Sequence, residues 1–179
     1  FQNMMIILLK IFVKKEGLFS VKQNTPEFGA GANTKNRVYG ATGNPFQFDL
    51  TSAGSSGGSA AALSLNMISI ATGTDYGGSL RTPAGFCGVT GFRPSPGMVP
   101  STEGIVLNPF SVAGPMGRDV TDAYLLLQAI VDINNNDIFS SLNSFNIFFE
   151  ILISFSDESK AIKKMQSNFS SSFFINSTK

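Results

Sequence analysis

Hydrophobic positions late in the middle of the chain recur at helical spacing. Two residues near the start of this pattern, Asp119 and Thr121, are candidates for the helix N-cap. The side-chain oxygen of either one can accept a hydrogen bond from a free backbone N–H. The pattern therefore predicts an amphipathic helix. The positions that share its apolar face, with Leu126 beside them, are Val120, Ala123, Leu127, Ile130 and Val131.

The region before this helix alternates glycine turns with short apolar runs. Small residues over Ser59–Met67 predict a helix, and Ile68–Thr74 predicts a short buried strand. A turn is expected over Asp75–Gly78, and a short helix from Ser79 that ends near Gly85 or Gly88. Strand, turn and helix in alternation favour an α/β fold.

The two ends of the chain differ from this middle region. Met4–Leu9 is apolar and predicts a buried helix rather than a targeting segment, and Leu18–Val21 is compatible with a short strand. The chain opens on Phe1 rather than Met, which suggests a piece of a longer protein.

Beyond residue 132 the composition shifts to Asn, Ser, Phe, Ile and Lys, with runs of three at 134–136 and 170–172. We therefore expect a core over residues 1–139 and a divergent, partly disordered tail over 140–179.

Composition and charge exclude several classes of protein. Hydrophobic residues make up 42% of the 179 positions and charged residues 14%, which favours a globular domain with a real core. A net charge of +1 without a basic stripe argues against a nucleic-acid surface. The single Cys87 allows no internal disulfide, and no apolar run is long enough to span a bilayer. Neither a metal site nor a cofactor is indicated.

Candidate chemistry centres on the serines among the glycines. Gly77 and Gly78 precede Ser79, so the backbone N–H groups of Tyr76 to Ser79 can converge on one point. Such donors form an oxyanion hole, and a serine beside them is a candidate nucleophile. A capped turn that simply leads into a helix is the alternative explanation.

A serine nucleophile needs a base, and the chain contains no histidine. This absence excludes the Ser-His-Asp arrangement, although residues 54–58 formally match the G-x-S-x-G pattern. A phosphate-binding loop is excluded because no G-K-[ST] follows the glycines. A neutral lysine, with its pKa lowered by burial, is the remaining base.

Four stretches together resemble the amidase signature family: "NTPEFGAGANTKNRVYGATGNPF", "AGSSGGSAAA", "GTDYGGSLRTPAGFCGVTGFRPSPG" and "GPMGRDVTDA". The resemblance extends from about Lys22 to Asp132. It implies an α/β fold with a mixed, largely parallel sheet flanked by helices, of which this chain would hold an incomplete portion. It also implies hydrolysis of amides by a Ser–cis-Ser–Lys triad.

The resemblance assigns roles to particular residues. Ser79 stands where the family has its nucleophile. Ser55, 24 positions earlier (79 − 55), stands where the family has a second serine, which follows a cis peptide bond and passes on the proton of the nucleophile. Other residues match supporting positions of the family. Tyr76, Gly77 and Gly78 match the residues whose amides form the oxyanion hole. Asp75, Thr74 and Arg81 match the loop around the nucleophile, and Cys87 matches a structural core position.

The family's catalytic lysine lies in a Lys-Asp strand, and this chain contains no Lys-Asp pair. Lys22 matches a non-catalytic lysine of the family, and Lys10, Lys14 and Lys15 lie too close to it along the chain. The base is therefore expected to be missing.

The resemblance leaves three functions open. The first is hydrolysis of a carboxamide through an acyl-enzyme on Ser79, and the second is the glutamine-hydrolysing component of a tRNA-dependent amidotransferase. The third is a catalytically inactive piece of such an enzyme. The expected partner is a small-molecule amide, without nucleic acid or membrane, in the cytoplasm, and a homodimer stays open for the full-length form.

Overall fold

The computed structural model describes residues 21–101 and 109–142. The helix expected at Met4–Leu9 lies outside the described residues, as do the strand expected at Leu18–Val21, apart from Val21 itself, and the tail from residue 143 onward. The division into a core and a tail stays a prediction.

Four α-helices, one short 3-10 helix (Glu27–Gly29) and five strands are assigned within the described ranges. The helices are α1 (Gly57–Ser64), α2 (Arg81–Cys87), α3 (Val120–Ile130) and α4 (Ile138–Leu142). The strands are β1 (Lys35–Asn36), β2 (Gly40–Ala41), β3 (Ile70–Asp75), β4 (Thr90–Gly91) and β5 (Val112–Gly117).

The elements predicted from the middle of the sequence are confirmed with shifted bounds. Helix α1 begins two residues before Ser59 and ends at Ser64, because Asn66 adopts a φ of 55° that no helix continues through. Helix α2 ends at Gly88, whose φ of 68° is the left-handed conformation typical of a helix C-terminus. Strand β3 is less buried than predicted, since Ile70 is 39% exposed.

The strands form two antiparallel sheets. The first is the β1–β2 hairpin, and the second has the order β3–β5–β4 with Gly73 opposite Gly114 at the centre of the longer ladder. The α/β class is thus confirmed. The pairing among these named strands is antiparallel, so the largely parallel arrangement that the resemblance implies is not found in this part of the chain.

Strand β5 was missed by the sequence patterns because it reads "VAGPMG" and lacks the β-branched alternation of an ordinary strand. All six of its residues are buried. Gly114 explains part of this composition: a Cβ there would lie 2.7 Å from a methyl group of Leu80 and 2.8 Å from the ring of Pro94. Strand β5 can lie at the centre of the sheet because Gly114 has no side chain and lets Leu80 and Pro94 approach its backbone.

Two apolar clusters flank the second sheet. The larger one joins α1, α2 and the sheet, and contains Ala60, Leu63, Ala71, Leu80, Ala84, Cys87 and Met116. The smaller one joins α3 to β5 through Val99, Ala113, Leu126 and Ile130. Cys87 is fully buried with its Sγ 3.8 Å from the carbonyl of Ser52, which agrees with the expected structural position.

Helix α3 confirms the predicted amphipathic helix and decides its cap. The Asp119 carboxylate accepts a hydrogen bond from the N–H of Asp122 at 2.9 Å, so Asp119 rather than Thr121 is the N-cap. The apolar face is rotated from the prediction: Val120 is 50% exposed, whereas Tyr124 is buried. No helix among the described residues is long and apolar enough to cross a membrane.

Candidate active site

The first serine turn is held in the interior of the fold. Residues 52–61 are buried without interruption, and Ser55 is 4% exposed. The peptide bond between Gly54 and Ser55 is cis, as the resemblance implies for this position. Gly54 has to be glycine, because a Cβ there would lie 2.7 Å from the carbonyl oxygen of Gly31.

Helix α1 is fastened to strand β3 by its hydroxyl groups. Ser56 Oγ lies 3.3 Å from the N–H of Thr74, from which it accepts, and 3.4 Å from the carbonyl of Thr74, to which it donates. One turn later, Ser59 Oγ donates to the carbonyl of Thr72 at 3.3 Å. Thr74, which the resemblance assigned to the loop around the nucleophile, is therefore a direct contact of the first serine turn.

The two serine turns meet through the backbone. The N–H of Ser56 donates to the carbonyl of Ser79 at 3.4 Å. The residue directly after Ser55 thus contacts the candidate nucleophile, although Ser56 and Ser79 lie 23 positions apart in the sequence (79 − 56).

The second serine turn follows β3 and is partly open to solvent. Tyr76 is 66% exposed, Gly77 is exposed, and Ser79 is half-buried. Gly78 has a φ of 119°, a conformation that side-chain-bearing residues rarely adopt, and a Cβ there would lie 2.7 Å from Thr82 Oγ1. This placement leaves Ser79 accessible beside a buried serine.

Not all four expected oxyanion amides are free. The N–H of Gly78 donates to Oδ1 of Asp75 at 2.8 Å, so that donor is already paired with a carboxylate. The N–H groups of Tyr76, Gly77 and Ser79 have no backbone acceptor or side-chain acceptor among the described residues. Three of the four donors thus stay available to a carbonyl oxygen.

The Asp75 carboxylate organises this turn from below. It is completely buried, and Oδ2 accepts a hydrogen bond from the N–H of Leu80 at 3.2 Å. Arg81 binds it in a two-pronged geometry, with Nε 3.0 Å from Oδ2 and Nη2 3.1 Å from Oδ1. One carboxylate therefore holds both sides of Ser79 and fixes the first turn of α2.

Arg93 is a third charged member of this cluster that the sequence patterns did not identify. Its Nη1 lies 2.9 Å from Oδ1 of Asp75 and also donates to the carbonyl of Asp75, while Nη2 donates to the carbonyl of Phe110 at 3.0 Å. The Phe110 ring lies 6.1 Å from that of Tyr76, measured between centroids. The only available signal was an arginine in a glycine- and proline-rich stretch.

The charges around Asp75 set its protonation state. Burial raises the pKa of a carboxyl group, but the hydrogen bonds from Arg81 and from the N–H groups of Gly78 and Leu80 outweigh it, so the pKa of Asp75 lies far below its ordinary value of 3.8. The same contact raises the pKa of Arg81. Asp75 is thus an anion at every physiological pH and cannot serve as the proton acceptor for Ser79.

The described part of the chain holds neither a buried lysine nor a metal site. Its lysines, Lys22 and Lys35, are both exposed, whereas Ser55 is buried. Across residues 21–101 and 109–142, no three metal-ligating side chains converge. Lys10, Lys14 and Lys15 lie outside the described residues.

Comparison with known proteins identifies the family. The amidase family model matches residues 10–159, which is most of the chain. The chain belongs to the amidase signature family. A glutamyl-tRNA(Gln) amidotransferase component from Syntrophobacter fumaroxidans is 46% identical over 122 residues, which cover 67% of the chain and 25% of that protein.

Solved structures of the amidase signature family share this fold. A bacterial aryl acylamidase superposes with a TM-score of 0.70 and 34% identity, over 75% of the chain and 28% of the enzyme. The corresponding glutamyl-tRNA(Gln) amidotransferase component from Thermotoga maritima gives a TM-score of 0.67 and 37% identity, over 75% and 30%. The chain spans about a quarter of the length of the curated relatives it matches.

Proposed function

We propose that the chain carries the serine half of an amide-hydrolysing site, with Ser79 as nucleophile and Ser55 as proton relay. The observation that carries the proposal is the hydrogen bond from the N–H of Ser56 to the carbonyl of Ser79, because it brings the two serine turns together. Membership of the amidase family supports the reaction class.

In the proposed reaction, Ser79 Oγ bonds to the carbonyl carbon of the amide. Its proton moves to Ser55 Oγ, whose own proton passes to a neutral amine base. The N–H groups of Tyr76, Gly77 and Ser79 stabilise the oxyanion. The C–N bond then breaks as the leaving nitrogen takes the proton back, and water hydrolyses the Ser79 ester to release the carboxylic acid.

The assay supplies the base, because both lysines within residues 21–101 and 109–142, Lys22 and Lys35, are exposed. Trimethylamine is suitable since it accepts a proton but cannot form a stable amide. We expect a fluorophosphonate probe to label the chain weakly alone and more strongly with trimethylamine, in step with the neutral fraction of the amine. Labelling should be absent in Ser79→Ala and retained in Ser95→Ala, an exposed serine used as control.

Three results would contradict parts of this proposal. Labelling that persists in Ser79→Ala, or no labelling at any amine concentration, would remove Ser79 as nucleophile. Strong labelling without amine that disappears in Ser79→Ala would keep the nucleophile but assign the base to a lysine of the chain itself.

Glutamine hydrolysis for a tRNA-dependent amidotransferase is the second candidate. It is supported by the similarity to glutamyl-tRNA(Gln) amidotransferase components from Syntrophobacter fumaroxidans and other bacteria, whereas the aryl acylamidase neighbour supports a general amidase. Release of ammonia from L-glutamine, compared with release of aniline from an anilide under the same amine-supplemented conditions, separates the two.

A further inference from the structure

One side chain from outside both serine turns holds the backbone on either side of Ser55. Thr34 is 2% exposed and lies directly before β1. Its Oγ1 lies 2.8 Å from the carbonyl of Ala53 and 3.3 Å from that of Ser55, and it accepts from the N–H of Gly57 at 3.0 Å. A single hydroxyl thus contacts Ala53, which precedes the cis-bonded pair Gly54–Ser55, as well as Ser55 itself and the start of α1.

The Thr34 backbone strengthens the same contact. Its N–H donates to the carbonyl of Ala53 at 3.0 Å, and its carbonyl accepts from the N–H of Thr42 at 2.9 Å. A Cβ on Gly57 would lie 2.6 Å from Ser52 Oγ and would also collide with the Thr34 hydroxyl. The serine turn and the segment before β1 therefore fit together without spare volume.

The Thr34 contact complements the contact from Ser79. The N–H of Ser56 binds the turn to the carbonyl of Ser79, while the Thr34 hydroxyl binds the Ser55 carbonyl to the segment before β1. A relay serine has to stay aligned with both its proton donor and its acceptor, and a misplacement of about 1 Å can cost about 10²-fold in rate. Thr34 is too deeply buried for contact with an amide substrate, so any effect on the reaction has to pass through the turn.

We infer that Thr34 is a positioning residue for Ser55, an inference that rests on the proposed role of Ser55 as relay. Its hydroxyl sets the orientation of the Ser55 backbone, and its methyl group is dispensable for that role. Thr34→Val removes the hydroxyl at nearly constant shape, whereas Thr34→Ser keeps the hydroxyl and removes the methyl group.

The first test measures labelling of Ser79 in the amine-supplemented assay of the full chain. We expect Thr34→Val to slow labelling by about 10²-fold and Thr34→Ser to stay within about threefold of the parent chain. In a Ser55→Ala background, Thr34→Val should cause no further loss, because the residue through which it acts is gone. Equal loss in both backgrounds, or equal loss in the Ser and Val variants, would reduce Thr34 to a structural residue and overturn the inference.

The second test does not depend on reactivity. Amide hydrogen exchange at Gly57 reports the hydrogen bond to Thr34 Oγ1 directly. We expect faster exchange at Gly57 in Thr34→Val and parent-like exchange in Thr34→Ser, with the amides of α3 unchanged in both.

The two tests fail in distinguishable ways. If the parent chain is never labelled, the proposed function fails, and exchange at Gly57 alone decides whether Thr34 fixes the turn. If exchange at Gly57 is the same in the Val and Ser variants, the inference on Thr34 is overturned whatever the labelling shows.

Discussion

At the scale of single residues, Asp75 explains most about the geometry of the second serine turn. It is buried, anionic, and bonded to two backbone N–H groups and two arginines. Burying a charge is costly unless the geometry of its partners is good, and this set provides it. Water screens part of the Arg81 contact, because that side chain is 56% exposed, whereas Arg93 is only 22% exposed.

We therefore expect Asp75→Asn to lower the free energy of unfolding by about 3 kcal/mol, because it leaves buried donors without an anionic acceptor. Asp122→Asn is the matched control: it breaks the Arg118–Asp122 pair at 2.7 Å, whose arginine side chain is 44% exposed, and should cost far less than Asp75→Asn. Urea denaturation at pH 7 measures both, and similar losses would show that burial of Asp75 is irrelevant.

We also expect the effect of Asp75→Asn on the free energy of unfolding to depend on pH. Because the folded pKa of Asp75 lies below its ordinary value of 3.8, the unfolded chain takes up the proton first as the pH falls, and the stabilisation is lost below that value. The difference in unfolding free energy between the parent chain and Asp75→Asn should be constant between about pH 7 and 5 and shrink below about pH 4. A difference that grows on acidification would contradict the assigned sign.

At the scale of elements, the bounds of helix α3 and the link between α1 and β3 depend on side-chain hydrogen bonds that hydrophobic spacing does not reveal. The sequence left Asp119 and Thr121 as alternative caps for α3, and the hydrogen bond from the N–H of Asp122 to the Asp119 carboxylate decides between them. The link between α1 and β3 rests on Ser56 and Ser59, which an apolar pattern does not register.

We expect Asp119→Ala to destabilise the fold by about 1 kcal/mol, because the N–H of Asp122 loses its acceptor. Thr121→Ala should stay within about 0.5 kcal/mol, since Thr121 is exposed. Thermal unfolding of both variants separates the two caps, and a larger effect at Thr121 would mean that the helix begins elsewhere.

At the scale of the whole molecule, β5 is the element that both apolar clusters share. Met116 belongs to the cluster with α1 and α2, and Ala113 to the cluster with α3. Gly114 lies between them and faces Leu80 and Pro94 at distances that leave no room for a methyl group. The stability of the described fold therefore depends on β5, whose Gly114 has no space for a side chain.

Two glycine substitutions test this dependence with opposite signs. Gly114→Ala should destabilise by about 1–3 kcal/mol through overpacking. Gly85→Ala, at an exposed position of α2 where the added Cβ meets nothing within 4 Å beyond its chain neighbours and its own helix backbone, should stabilise by about 0.5–1 kcal/mol. Equal effects in chemical denaturation would contradict the packing described around β5.

What the sequence predicts and what it misses follow from the range of the contacts. Helix α3, the turn before Ser79 and the ends of α2 depend on local spacing and on glycine conformation, and they were predictable. Arg93 contacts Asp75 across 18 positions, Thr34 contacts Gly57 across 23, and β5 pairs with the distant strand β3, so no local pattern encodes these partners. Ser79 was singled out from the glycines before it, whereas its pairing with Ser55 was predicted from the resemblance.

The exposed connection between α1 and β3 bears on how much the interval between the two serines matters. Leu65 is 56% exposed and Met67 72%, so these two side chains contribute little to either cluster, whereas Ile68 packs against the larger one. The serine turns are joined by the contacts of Ser56 and not by the length of the chain between them. Since the entropy of closing a loop rises only slowly with its length, an insertion at this connection would lengthen the interval while leaving both turns in place. We therefore expect the two serine turns to keep their contact when residues are inserted between Leu65 and Met67, whatever the interval between Ser55 and Ser79 becomes.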